Sequence, residues 1–214
     1  FEESILLFQS LARFSQFYPN LLTSDFLSPG QVSSKLWLCQ ELAKHIDLSE
    51  KSILLLCGWY GSLNLFLRAT TINREYRLLS VDIDPDCEEL ARKLNLEDSK
   101  KSLFQAISGD VTQIDYEKWA LGALDLRGDC ETPFDCVINT SCEHLENFEE
   151  FYDGLPQEPL LVLQSNNFFG CDGHVNCVED LESFRQQAPM KRRLFQGELD
   201  VGKYKRFMLI GYKS

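Results

Sequence analysis

The sequence predicts an α/β protein, a doubly wound, mostly parallel seven-stranded sheet with an antiparallel C-terminal edge strand, plus N-terminal helices. Three observations lead there. From residue 53 onward, short apolar runs alternate with stretches of helical periodicity, the pattern of parallel strands joined by crossover helices. The first two runs, ILLLC and LLSVDI, are separated by a glycine-bearing turn and one helix length of chain. The chain closes on two runs, 194–201 and 204–212, joined at Gly202-Lys203, which reads as a hairpin.

Residues 1–50 read as a helical extension or cap, and 51–214 as the sheet domain. Ile5, Leu6, Leu7, Phe8, Leu11, Phe14 and Phe17 give one apolar face, closed by Pro19. After Ser28-Pro29-Gly30, Leu36, Leu38, Leu42 and Ile46 mark a second helix. Strands are expected over 53–57, 78–83, 104–108, 134–139 and 160–164. The helices between them are expected over 62–70, 85–94 and 145–152, with a further helix running to about residue 187. Pro85 suits a first helical turn, where the missing N–H has no partner to lose. Residues 112–133 are polar and irregular, with Trp119 and Leu121 as expected packing anchors.

Composition narrows the function. A chain of 214 residues with 44% hydrophobic and 25% charged residues suits a globular domain with a full core. The formal net charge of −12 repels phosphate backbones, so a nucleic-acid partner is not expected and a small polar or cationic molecule is. Lys191-Arg192-Arg193 is read as a solvated strand start. No run approaches the roughly 20 apolar residues of a membrane span, and no signal-peptide pattern opens the chain. A start at Phe1 suggests trimming from something longer. The cysteines fall in or beside expected elements, which points to reduced thiols and a cytoplasmic setting rather than to disulfides.

The strand–turn–helix–strand unit is what an open parallel sheet uses to hold a nucleoside at its carboxyl edge. Gly58 and Gly61 are expected to let backbone approach the ligand, and Asp82 to receive ribose hydroxyls. Over residues 30–214 the chain resembles the class I S-adenosylmethionine-dependent methyltransferases, a Rossmann-like family. ILLLCGWYG stands at the family's glycine-rich first motif, LLSVDIDP at its acidic second, AISGDV at its third, FDCVINTSCEHL at its fourth and LLVLQSNNF at its fifth. The C-terminal hairpin is similar to the family's reversed last strand. One departure stands out: the acid that usually precedes a G-x-G-x-G turn is missing, and only two glycines remain.

The resemblance implies S-adenosyl-L-methionine as cofactor and methyl transfer to a small polar or amino-acid-like acceptor. It implies an adenosyl cradle from Gly58, Trp59, Gly61, Asp82, Ile83 and Asp110, with Ile83 against the adenine face. Asn139 and Lys35 are expected at the methionine end, with Gln31 or Ser34 nearby; a helix cap with an exposed lysine is the plainer reading of that segment. Trp59 and Tyr60 either touch ligand, Tyr60 on the substrate side, or pack under the N-terminal helices.

Methyl transfer from a sulfonium needs alignment and, for a protonated nucleophile, a base. His144, with Glu143 beside it, is the expected catalytic pair, since an imidazole titrating near about 6.5 accepts protons at neutral pH. Its alternative is to cap or pack the next helix. Asn166, Asn167 and His174 are expected to line the acceptor pocket, closed by Phe168 and Phe169. Cys142, His144, Cys171, His174 and Cys177 match no common zinc spacing, and the expected reaction needs no metal. Two other readings stay open: a related nucleotide bound for another reaction, or a catalytically degenerate binding or scaffold module.

Overall fold

The computed structural model describes residues 2–18, 25–71, 75–116 and 134–214. Trp119, Leu121 and Pro19, assigned roles above, lie outside these residues. In chain order the elements are α1 (Glu2–Phe17), a 3-10 turn (Asp25–Leu27), α2 (Pro29–Leu42), β1 (Ser52–Leu56), α3 (Ser62–Thr70), β2 (Arg77–Asp82), α4 (Pro85–Leu94), α5 (Leu96–Lys100) and β3 (Phe104–Ser108). There follow β4 (Cys136–Asn139), a 3-10 turn (Cys142–His144), α6 (Phe148–Gly154), β5 (Leu160–Asn166), α7 (Leu181–Gln187), β6 (Arg192–Asp200) and β7 (Lys205–Tyr212).

One seven-stranded sheet runs in the order β3-β2-β1-β4-β5-β7-β6. Pairs among β1 to β5 are parallel, whereas β7 is antiparallel to both β5 and β6. The reversed C-terminal strand is therefore inserted one place in from the edge, and β6 is the edge strand. The hairpin that joins them closes at Asp200↔Lys205.

Each central strand is apolar throughout because both its faces are covered. In β1, Leu54 and Leu56 enter one core with Val137, Leu161 and Phe207, while Ile53 and Leu55 enter the opposite core with Leu38, Ile138 and Val162. A third cluster, Phe14, Phe26, Leu65 and Leu94, fixes the N-terminal helix over α3 and α4. α2 starts from a Ser28 cap and a first-turn proline, and its buried Ser34 donates to Gln164 of β5 at 3.0 Å.

α3 and α4 begin and end where the sequence pattern places them. The expected helix at 145–152 instead starts at Phe148, because residues 142–144 form the 3-10 turn first. β5 runs two residues further than expected, to Asn166, and these last residues pair only with β7. Among the described residues no helix is long and apolar enough to cross a membrane. The seven described cysteines are free thiols.

Candidate functional site

Parallel strands end on a common edge, so the loops after β1, β2, β3, β4 and β5 gather there. β1 and β4 lie side by side although their connections run to opposite sides of the sheet, and the crevice at such a switch point is where open sheets bind ligands. Cys57 and Asn139 meet across it, with the Asn139 amide 3.7 Å from the thiol sulfur. Asn139 is fully buried, and its Oδ1 accepts the Ser141 N–H at 2.7 Å, which bends the chain away after β4.

The turn after β1 places Cys57, Trp59 and Gly61 at φ of 51°, 49° and 62°. Cysteine and tryptophan thus stand at two places where left-handed backbone favours glycine. Each costs about 1–2 kcal/mol. Asp82 holds the shape: its Oδ2 accepts the Trp59 N–H at 2.7 Å and its Oδ1 the Asp84 N–H at 3.1 Å. Asp82 thus stands at the tip of β1 as expected. A carboxylate offers about four lone-pair sites, so two remain free to accept further hydrogen bonds. Ile83, 68% exposed, follows directly and offers an apolar surface beside them. Asp110, exposed after β3, accepts the Thr112 N–H and hydroxyl through Oδ1 in a side-chain-closed turn.

The two aromatics of the turn face the N-terminal helices. Trp59 and Tyr60 stack at 4.7 Å, and both meet the edge of Phe26, at 6.2 and 5.6 Å. The indole and phenol therefore belong to the cluster under α1, and Trp59 serves the turn through its backbone N–H. Gly58 is required by the interior of the fold, since a Cβ there would come within 2.1 Å of Ser80 Oγ. Lys35 is buried in α2 with its ammonium 2.5 Å from Gln31 Oε1, so it is not the exposed lysine of the plainer reading. Burial, reinforced by the Asp82 charge, pushes the Cys57 thiol up to about 12.

Beyond β4 the 3-10 turn carries Glu143 and His144. Glu143 is buried and pairs with Arg206, Nη1 to Oε1 at 2.5 Å, while the other arm of Arg206 donates to the Thr140 carbonyl. Asn166 donates to the same Oε1 at 2.7 Å. No sequence signal singles out Arg206. It is the second residue of β7, and because β7 runs against β5, it lies on the carboxyl edge opposite Asn166.

The loop after β5 wraps over this ion pair. The Glu143 carbonyl accepts the N–H groups of Val175 and Asn176 at 2.9 and 2.8 Å. Asn166 Oδ1 accepts the Phe168 N–H and the Cys177 thiol. Asn167, expected in the acceptor pocket, instead clamps β7, its Oδ1 accepting the Lys205 N–H at 2.8 Å. Phe168 stacks on Tyr204 at 5.1 Å, whereas Phe169 is 54% exposed.

His144 and His174 come together, their rings edge to face at 4.7 Å. His144 Nδ1 lies 2.9 Å from the Gly173 carbonyl and His174 Nδ1 3.1 Å from the Phe168 carbonyl. Burial holds the His174 ring below its usual range, favouring the neutral form. A cleft of about 730 Å³ opens beside this group between α6 and α7, lined by Phe148, Tyr152, Phe169 and Cys177 and by the carboxylates of Glu146, Glu149, Asp153 and Glu179. It does not coincide with the switch-point crevice.

Solved structures share this architecture. A candidate sarcosine dimethylglycine methyltransferase from Galdieria sulphuraria superposes with a TM-score of 0.61 at 12% identity, over 86% of both chains. N-methyltransferase NodS from Bradyrhizobium japonicum gives 0.58 at 14%, over 86% of this chain and 97% of its own. Geranyl diphosphate methyltransferase in complex with SAM gives 0.58 at 8%, over 86% of both. The fold is that of the class I methyltransferases. No family model matches the sequence, and no curated protein is similar to it in sequence. At these identities the likeness establishes the architecture, and the chemistry rests on the site.

Proposed function

We propose that this protein binds S-adenosylmethionine at the carboxyl edge of β1 and β2 and transfers its methyl group to a small polar acceptor. The observation that carries the reading is Asp82. It lies at the β1 tip, is oriented by two backbone N–H groups, and keeps acceptor capacity beside the exposed Ile83. The bound cofactor supplies a methyl group already activated on a sulfonium. Asp82 would hold the ribose, Ile83 would cover one adenine face and Asp110 would receive the adenine amino group. Asn139 and Lys35 would serve the methionine end, where β1 offers no acid.

The acceptor side is the Glu143–His144–His174 group. Glu143, tied to Arg206 and Asn166, anchors this group; as a buried, ion-paired carboxylate it is poorly placed to serve as a mobile base. The imidazoles, each with Nδ1 facing a carbonyl, face the acceptor and orient it or take its proton. A chain of net charge −12 favours a small polar or cationic acceptor over a nucleic acid.

A second reading, a nucleoside-binding module without transfer, is favoured by the turn that carries Cys57 and Trp59 in left-handed backbone. Calorimetry with S-adenosylmethionine and S-adenosylhomocysteine, followed by labelled-methyl transfer to metabolite fractions, separates the two. The leading reading expects binding of both, label transfer, and at least a tenfold affinity loss in Asp82→Ala. Binding without transfer selects the module, and no binding of either ligand defeats both.

A further inference from the structure

We infer that Glu143, His144 and His174 form a site for a divalent transition metal of the zinc class, with at least one coordination position left open. One donor atom from each of the three residues lies within 4.8 Å of the others. The proposal concerns the same three residues that the proposed function puts on the acceptor side, and it is tested without methyl donor or acceptor so that the two readings can fail separately.

The first argument is an orphaned atom. Glu143 is 2% exposed, and its Oε1 is engaged by Arg206 and Asn166. Its Oε2 is buried without a hydrogen-bond partner among the described residues. A buried carboxylate oxygen without a partner costs about 1–3 kcal/mol or more, so native structures rarely leave one unless an ion or water completes it. The Asn176 amide donates to the Cys142 carbonyl and the two Nη atoms of Arg206 to Oε1 and the Thr140 carbonyl, while Arg206 Nε is, like Oε2, buried without a partner among the described residues.

The second argument is the setting of the two rings. A backbone carbonyl beside Nδ1 of each imidazole selects the tautomer with its proton there, so the lone pair sits on Nε2. Metal-binding histidines are oriented by that kind of partner. Two neutral imidazoles and one carboxylate suit zinc, cobalt or iron(II), whereas magnesium and calcium prefer oxygen ligands throughout.

The geometry requires a modest closure. A tetrahedral ion with bonds of about 2.0–2.1 Å sets its donors about 3.4 Å apart, and the exposed His144 is the ligand with room to turn inward. Arg206 shares the carboxylate with the ion, which makes the site weaker than a closed structural zinc centre. Cys177 stands 3.6 Å from His174 Nδ1 but donates to Asn166, and it falls outside the three-donor group. A carboxylate and two histidines thus replace the cysteine–histidine set that spacing alone brings to mind.

The test uses chelator-treated protein titrated with Zn²⁺ by calorimetry and with Co²⁺ by visible absorption, without methyl donor or acceptor. The expected result is one equivalent per chain, ligand-field bands with Co²⁺, and no saturable heat with Mg²⁺. His144→Ala and His174→Ala should each weaken Zn²⁺ binding at least about 100-fold. His45→Ala, whose ring lies near Phe195, should not change it. His144→Ala carries the comparison, because an exposed ring can be removed without unfolding the chain, whereas Glu143→Gln disturbs the buried ion pair. Absence of stoichiometric Zn²⁺ binding, or equal affinity in the His144→Ala/His174→Ala protein, overturns the proposal.

Discussion

Gly58 shows how a residue read correctly as special can be special for another reason. The sequence pattern assigns it to ligand approach. In the fold the space a Cβ would occupy is filled from within, by Ser80 Oγ at 2.1 Å and the Leu55 side chain at 3.2 Å. Gly58→Ala should therefore destabilise by about 1–3 kcal/mol, the usual range for overpacking. Ser80→Ala in the same chain should restore most of the loss. Urea unfolding of the two proteins measures both numbers, and an unchanged midpoint for the single variant would contradict the contact. The left-handed Cys57 and Trp59 are the complementary case: nothing in their side chains announces that conformation, which the Asp82–Trp59 hydrogen bond and the packing against Phe26 impose.

Among the elements, α3 is tied down by polar as well as apolar contacts. Asn64, fully buried, donates to Asn95 Oδ1 and Asp98 Oδ2 and accepts from the Tyr76 hydroxyl. Arg68 bonds Asp98 and the Tyr76 carbonyl while its guanidinium lies 3.7 Å over the Tyr76 ring. Asn64→Ala leaves the buried Asn95 and Tyr76 and the partly buried Asp98 each a partner short, so a loss of about 1–3 kcal/mol is expected. Hydrogen exchange should then show α3 and α5 opening together; unchanged protection in α5 would mean that the network does not couple them. Helical periodicity places α3, but it cannot show which helix its polar face meets. The same holds for Arg206. A strand written KRFMLIGY tells its apolar content at once, yet its charged start reaches Glu143 only because β7 is antiparallel.

For the whole molecule, buried thiols and phenols set the alkaline limit of stability. Burial pushes Cys39, Cys57, Cys87 and Tyr152 up to about 12. An unfolded thiol releases its proton near about 8.5, so above that pH the unfolded chain binds fewer protons than the native one. Stability is then complete below about pH 8.5 and falls as pH climbs towards 12, by about 1.4 kcal/mol per pH unit for each fully buried thiol. Melting curves at pH 8 and pH 10.5 should show the lower Tm at the higher pH, and equal values would count against the buried thiols. Apolar runs, turn residues and strand ends are local signals, and they suffice for the sheet, its strand and helix order, the reversed C-terminal strand and Asp82 at the β1 tip. Folding in three dimensions was needed to assign Trp59 and Tyr60 to the N-terminal helix, to make Asn167 a clamp on β7, and to bring Glu143, His144, His174 and Arg206 together. Those outcomes depend on which distant segments share an edge, and no local pattern encodes that.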